Sequence, residues 1–99
     1  MNQINATELI SRLQKGESLT IIDVREKIEF HTYNIGGVNI PVSAIGDEID
    51  ELDLNKSDEI IVICKAGIRS RTAQAILEQQ GYQHVRNLTG GLLAIQKLQ

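Results

Sequence analysis

The run Ile60-Ile61-Val62-Ile63 is the segment that most restricts what this chain can fold into. Four consecutive β-branched apolar residues offer no polar face, so they suit a strand covered on both sides, as in the middle of a parallel sheet. The run leads directly into Cys64-Lys65-Ala66-Gly67-Ile68-Arg69-Ser70-Arg71, a short glycine-containing loop that opens a helix. Cys64 is the only cysteine of the chain. It stands at the carboxyl end of the strand, where open α/β sheets bind their ligands.

Amphipathic and apolar segments alternate on either side of this run. Asn5-Ala6-Thr7-Glu8 has the pattern of a capping box, with Asn5 as N-cap and Glu8 reaching back. Ala6, Leu9, Ile10 and Leu13 then keep helical spacing, and Gly16 stops the helix. Leu19-Thr20-Ile21-Ile22 is a short apolar run ending at Asp23-Val24-Arg25-Glu26. Residues 26–32 predict a short helix, broken by Asn34-Ile35-Gly36-Gly37, and Val38-Asn39-Ile40 a short strand that Pro41 ends. Ile45, Ile49 and Leu52 predict another amphipathic helix. Ala73, Ile76 and Leu77 give the helix after the cysteine loop a narrow apolar stripe, which Gly81 ends. A strand over His84 to Leu88 and a helix over Thr89 to Lys97 complete the chain. The alternation predicts an α/β layer structure with a mainly parallel sheet. A length of 99 residues is expected to form one domain, residues 1–99.

Composition narrows the function. The net charge of −3 argues against a nucleic-acid binder, which normally carries a basic face. One cysteine excludes an internal disulfide, and two distant histidines argue against a zinc site, so no metal is expected. No apolar run approaches the roughly 20 residues of a membrane span. Met1 to Glu8 lack the basic and apolar regions of a secretory signal. A free thiol suits a reducing compartment, and the expected location is the cytoplasm. The acidic segment Asp47 to Asp53 places its carboxylates off the Ile45–Ile49–Leu52 stripe and reads as a solvated face. Gly36-Gly37 and Gly90-Gly91 lack nucleotide-loop spacing and read as turns.

A cysteine at the end of an apolar strand is usually a small hydrophobe. The loop after Cys64 argues for more. Gly67 permits backbone angles that turn N–H groups inward, as in an anion-binding nest. The following helix, with Ser70 or a neighbour as N-cap, would add its own unpaired N–H groups. Such surroundings lower a thiol pKa from about 8.5 to roughly 3.5–7.5, and the thiolate is the reactive form. No histidine lies in this stretch, and His31 and His84 read as surface or structural residues. Arg69, inside the loop, is the candidate for binding an anionic substrate, Lys65 adds to the positive rim, and Arg71 falls on a solvated helix face. These residues predict sulfur chemistry at an exposed Cys64 thiolate.

The same residues resemble a family. Cys64-Lys65-Ala66-Gly67-Ile68-Arg69-Ser70 is similar to the C-x-x-G-x-R-S loop of rhodanese-like, single-domain sulfurtransferases. Ile22-Asp23-Val24-Arg25-Glu26 with Glu29-Phe30 resembles the family's D-V-R-E-x-x-E-[FY] signature. Asn34 to Pro41 resembles H-I-x-G-A-x-N-I-P, and Val85 to Gly91 resembles V-x-x-L-x-G-G. The four motifs stand in order over nearly the whole chain. The resemblance implies a three-layer α/β/α sandwich with a mainly parallel five-stranded sheet. It implies that Cys64 takes a sulfane sulfur from thiosulfate or a protein persulfide and passes it to cyanide, a thiol or another protein, as in a sulfur relay. No cofactor beyond the covalent Cys64 persulfide is implied. The backbone from Lys65 through Ala66, Gly67, Ile68 and Arg69 to Ser70 would cradle the outer sulfur. Asp23 and Arg25 match supporting positions, and a structural ion pair is the expected form of that support. A monomer is expected.

The chain departs from the family in two places. Asn34 stands where histidine is usual, in a segment one residue short, and Ile95 stands where tryptophan is frequent. Both are packing substitutions at the expected pocket rim, and with 3% aromatic residues the pocket is expected to be aliphatic. Two rival readings remain. Related phosphatases use C-x5-R, whereas here the sixth residue after Cys64 is Ser70 and the arginine comes one earlier, which makes the loop tight for phosphate. Other rhodanese-like domains are persulfide carriers or regulatory binding modules without turnover.

Overall fold

The Ile60–Ile63 run lies at the centre of a five-stranded sheet, all of whose pairings are parallel. The computed structural model describes residues 2–99. Along the chain these form β1 (Gln3–Ile4), α1 (Ala6–Gln14), β2 (Ile21–Asp23), α2 (Lys27–Thr32), β3 (Val38–Asn39), α3 (Ile45–Glu48), a 3₁₀ turn (Ile49–Leu52), β4 (Glu59–Ile63), α4 (Ile68–Gln79), β5 (His84–Leu88) and α5 (Gly91–Lys97). The sheet order is β1-β5-β4-β2-β3. Among the described residues, no helix is long and apolar enough to cross a membrane.

Side chains alternate across a strand, and β4 feeds two cores. Ile60, Val62 and Cys64 pack with Ile45, Ile49, Ala73 and Leu77 of α3, the 3₁₀ turn and α4. Ile61 and Ile63 pack on the opposite face with Leu9 of α1 and Leu92 and Ile95 of α5. The chain is therefore a three-layer α/β/α sandwich. Register places Ile61 opposite Ile21 on β2 and Arg86 on β5, and Val62 opposite Ile22 and Asn87. The carboxyl ends of β2, β4 and β5 thus emerge side by side.

Several local expectations need correcting. Asn5 caps α1, its Oδ1 accepting from the Glu8 N–H at 2.8 Å. The Glu8 carboxylate does not reach back; it accepts from Arg86 at 3.0 Å, because a strand guanidinium offers a stronger partner than one amide. The helix expected over 45–52 is α3 followed by the 3₁₀ turn. Ile45 and Ile49 keep the expected buried face, but Gly46 weakens the first turn and Asp53 ends the segment at a left-handed φ of 54°. The last helix begins at Gly91, not Thr89, because Gly90 adopts φ 75° as its N-cap. The strand β1 went unforeseen: two residues carry no alternation to read.

Ile61→Ala should lower stability by about 2–5 kcal/mol, since the side chain is fully buried on a central strand. Urea unfolding would measure it, and a loss under about 1 kcal/mol would contradict the central placement of β4.

Candidate active site

Three chain segments meet beyond the carboxyl edge of the sheet: the turn after β2, the Cys64 loop and the Thr89-Gly90-Gly91 corner. The corner fixes the loop. The N–H groups of Leu92 and Leu93, in the first turn of α5, donate to the carbonyls of Cys64 and Lys65 at 2.9 and 3.0 Å. In a trans peptide the N–H points opposite to the carbonyl. Drawing these two carbonyls toward α5 therefore turns the N–H groups of Lys65 and Ala66 the other way. Gly91 makes the approach possible: a Cβ there would lie 2.5 Å from the Cys64 and Lys65 carbonyl oxygens, at a φ of 61°. Gly90-Gly91 is more than a turn; it is the seat of the loop.

The loop closes on sulfur. The N–H groups of Gly67 and Ser70 lie 3.1 and 3.3 Å from Cys64 Sγ, and the Ser70 hydroxyl 3.2 Å. Gly67, at φ 93°, is the N-cap of α4, so the helix starts at Ile68 and Ser70 sits in its first turn. The expected cap was Ser70 or a neighbour; the cap is Gly67, three residues earlier. A glycine in the left-handed region can end the loop sooner. The sulfur itself then serves two orphan donors of the helix start.

Cys64 is 1% exposed, which corrects the expectation of an exposed thiol. Burial pushes its pKa up, but the Ser70 hydroxyl and the N–H groups of Ser70, Gly67 and Ala66 push it down and prevail, so the thiol sits below its ordinary value. Lys65, Ala66 and Ile68 of the loop are solvent-exposed, whereas Gly67 and Ser70 are buried beside the sulfur.

Arg69 is not available as a free anion site. Its guanidinium grips Glu29 of α2 in a two-pronged pair, Nη1–Oε1 2.7 Å and Nη2–Oε2 2.9 Å. The Arg69 hydrogen bond is the largest influence on Glu29 and holds its carboxyl down at about 2. Glu29 also accepts from the Glu26 N–H at 3.0 Å and so closes the start of α2. In the sequence Glu29 had only a place in a motif; a carboxylate in a family-like signature was the sole signal for this strap between α2 and the loop.

Asp23 and Arg25 form the expected ion pair. Asp23 Oδ1 accepts from the Arg25 N–H at 3.1 Å and Nε at 3.0 Å, and Oδ2 accepts from Nη2 at 2.8 Å. Arg25 Nη2 also donates to the Tyr33 carbonyl at 2.6 Å, which ties the end of α2 to the end of β2. The loop is thus supported through α2. Asn34 closes α2 as well, its Nδ2 donating to the Phe30 carbonyl and its Oδ1 accepting from the Gly36 N–H.

A cleft of about 300 Å³ opens between α2 and α5 against the loop. Arg25, Ile28, Glu29, Lys65, Leu92 and Leu93 line it, together with Thr32, Tyr33 and Gln96. It is mixed, not aliphatic: Arg25, Glu29, Lys65 and Gln96 stand beside Ile28, Leu92 and Leu93. Ile95 takes no part in it; it is 2% exposed, in the core beneath α1 and α5. Lys65 supplies an exposed cation to the cleft, while Arg25 and Glu29 face it with their charges already paired. His31, His84, Arg71 and the carboxylates of Asp47, Glu48, Asp50, Glu51 and Asp53 are exposed. Among the described residues, no group of His, Cys, Asp and Glu could hold a metal ion.

The sequence profile of the family described as "Rhodanese-like domain" matches residues 5–98. The chain belongs to the rhodanese-like domain family. The thiosulfate sulfurtransferase PspE of Escherichia coli is 38% identical over 72 residues, covering 72% of this chain and 68% of PspE. YrkF of Bacillus subtilis, named provisionally as a sulfur carrier protein, is 35% identical over 91 residues, covering 91% of this chain. This rhodanese-like chain spans 48% of YrkF. A human single-domain sulfurtransferase superposes with a TM-score of 0.86 at 25% identity, covering 100% of this chain and 98% of that one.

Two outcomes are expected. Gly91→Ala should destabilise by at least about 2 kcal/mol and change Cys64 alkylation rates, whereas Gly36→Ala, whose Cβ meets nothing within 4 Å, should cost less. Urea unfolding and iodoacetamide labelling of both variants would compare them. The second concerns acid. Glu29 has a folded value of about 2 against 4.5 ordinarily. Its stabilisation is complete above about pH 4.5 and is lost as pH falls toward 2. Glu29→Gln should flatten thermal stability against pH over that window.

Proposed function

We propose that this protein moves sulfane sulfur through a persulfide on Cys64. The observation that carries the reading is the convergence of the Gly67 and Ser70 N–H groups on Cys64 Sγ, in a loop whose carbonyls are held away by α5. Donors aimed at one sulfur favour a thiolate nucleophile and a polarisable persulfide. The named activities of PspE and of the human sulfurtransferase support the same reading.

With thiosulfate as donor, the Cys64 thiolate attacks the sulfane sulfur. The S–S bond of thiosulfate breaks, sulfite leaves with the electron pair, and Cys64–S–S⁻ forms. A thiophile such as cyanide or a thiolate then attacks the outer sulfur and restores the Cys64 thiolate. The reading draws on no cofactor besides that covalent sulfur. Among the described residues that line the cleft, Lys65 is the cation outside any ion pair, and it would attract an anionic donor, the part assigned to Arg69 from sequence. Lys65, Ala66, Gly67, Ile68, Arg69 and Ser70 form the loop, and Asp23 with Arg25 steadies it through α2.

The burial of Cys64 favours a second reading, in which the protein carries sulfur for one protein partner, as in a sulfur relay. YrkF, named provisionally as a carrier, supports it. A phosphatase is disfavoured, since the arginine after the loop is committed to Glu29.

Mass spectrometry after thiosulfate treatment should show one added sulfur atom on Cys64, removed by cyanide as thiocyanate. Cys64→Ser should neither gain sulfur nor turn over. Activity retained by that variant would overturn both readings. Loading followed by slow release to cyanide would select the carrier.

A further inference from the structure

Asn87 is a polar residue in an apolar setting. It lies on β5 opposite Val62, two residues before Cys64, and is 2% exposed. Strand alternation puts it on the face that carries Val62, Cys64 and Val85. Both ends of its amide are engaged with the loop. Nδ2 donates to the Gly67 carbonyl at 3.3 Å, and Oδ1 accepts from the Ser70 hydroxyl at 2.5 Å. Turning the amide over would set Oδ1 against the Gly67 carbonyl, so its orientation is fixed by the loop.

The Ser70 hydroxyl also lies 3.2 Å from Cys64 Sγ. A hydroxyl has a single proton to donate. While that proton is on Asn87 Oδ1, Ser70 can only accept from sulfur, and the contact is S–H···O. That arrangement withholds from the thiolate the hydroxyl donation that lowers the Cys64 pKa. A thiolate has no proton to give, so the contact becomes favourable only when the hydroxyl rotates to the sulfur. Asn87 Oδ1 then stands buried without a donor, which is costly.

We propose that Asn87 is a positioning residue that controls the Cys64 nucleophile through Ser70, by competing with the sulfur for one hydroxyl proton. The proposal rests on the persulfide reading for its catalytic meaning. Ionisation of Cys64 draws the hydroxyl to Sγ. Formation of the persulfide moves the negative charge to the outer sulfur, and the hydroxyl returns to Asn87. The neighbouring charges do not duplicate this control. Arg69 on α4 senses the sulfur charge but is paired with Glu29. Asp23 and Arg25, at the end of β2, are paired with each other. Val24, Ile40, Val62, Ala73 and Val85 on this face are apolar; of its polar side chains, Gln74 donates to the Val85 carbonyl, Tyr82 lies further along the same cluster, and Lys65 is exposed to solvent.

Iodoacetamide alkylation of Cys64 against pH tests the proposal without requiring sulfur transfer. Asn87→Leu removes the competing acceptor and should move the midpoint down by about one unit, a tenfold faster reaction below it. Asn87→Asp strengthens the acceptor and should move the midpoint up. In a Ser70→Ala background, Asn87→Leu should leave the midpoint unchanged, and the Asn87→Asp shift should shrink. Equal shifts with and without Ser70, or no shift in either background, would overturn the proposal. Should Asn87→Leu fail to fold, the part of the Asn87→Asp shift that depends on Ser70 decides between the same two outcomes. Failure to accept sulfur from thiosulfate would leave the alkylation cycle readable and would count only against the persulfide reading.

Discussion

Two backbone hydrogen bonds govern the geometry of the site: those from the Leu92 and Leu93 amides to the Cys64 and Lys65 carbonyls. A strand that simply ran off the sheet would present carbonyls and N–H groups alternately to whatever lies beyond it. Here the start of α5 claims the carbonyls. The amides that follow are left facing the other way, and α4 begins around the sulfur. The charge pattern at Cys64 is therefore set by peptide orientation, and the orientation is set by a helix on the opposite face of the sheet.

The full charges near the site are largely cancelled. Asp23 pairs with Arg25, and Glu29 with Arg69. What remains around the sulfur is a field of dipoles, which are fixed in place and need little rearrangement when charge appears. Burial makes that field necessary, since a thiolate taken out of water is penalised unless several donors replace its hydration. The paired charges serve a mechanical purpose. They bind α2 to the end of β2 at one end and to α4 at the other, although no residue of α2 is itself buried.

Much of this was legible in the sequence where a segment carries its own pattern. The unbroken β-branched run identified the central strand, and Ala73 and Leu77 the buried side of the helix after it. The loop from Cys64 to Ser70 declared itself by one glycine and one cysteine at a strand end. Partnerships between distant residues were not legible. Nothing local to Arg69 announces Glu29, forty positions earlier, and Arg69 read as a free cation for that reason. Asn87 looked like one residue of an ordinary strand, because only the register with Val62 brings it to Ser70. Burial of the sulfur was missed because it depends on how the loop folds back, which the backbone of α5 decides.

The seat of the loop has a consequence for what the chain tolerates. Because α5 holds the Cys64 and Lys65 carbonyls from across the sheet, a substitution in its first turn reaches the sulfur without touching it. Positions on the far layer therefore decide how the amides beside Cys64 point, and sequence change there is constrained by a site to which those positions lend only backbone.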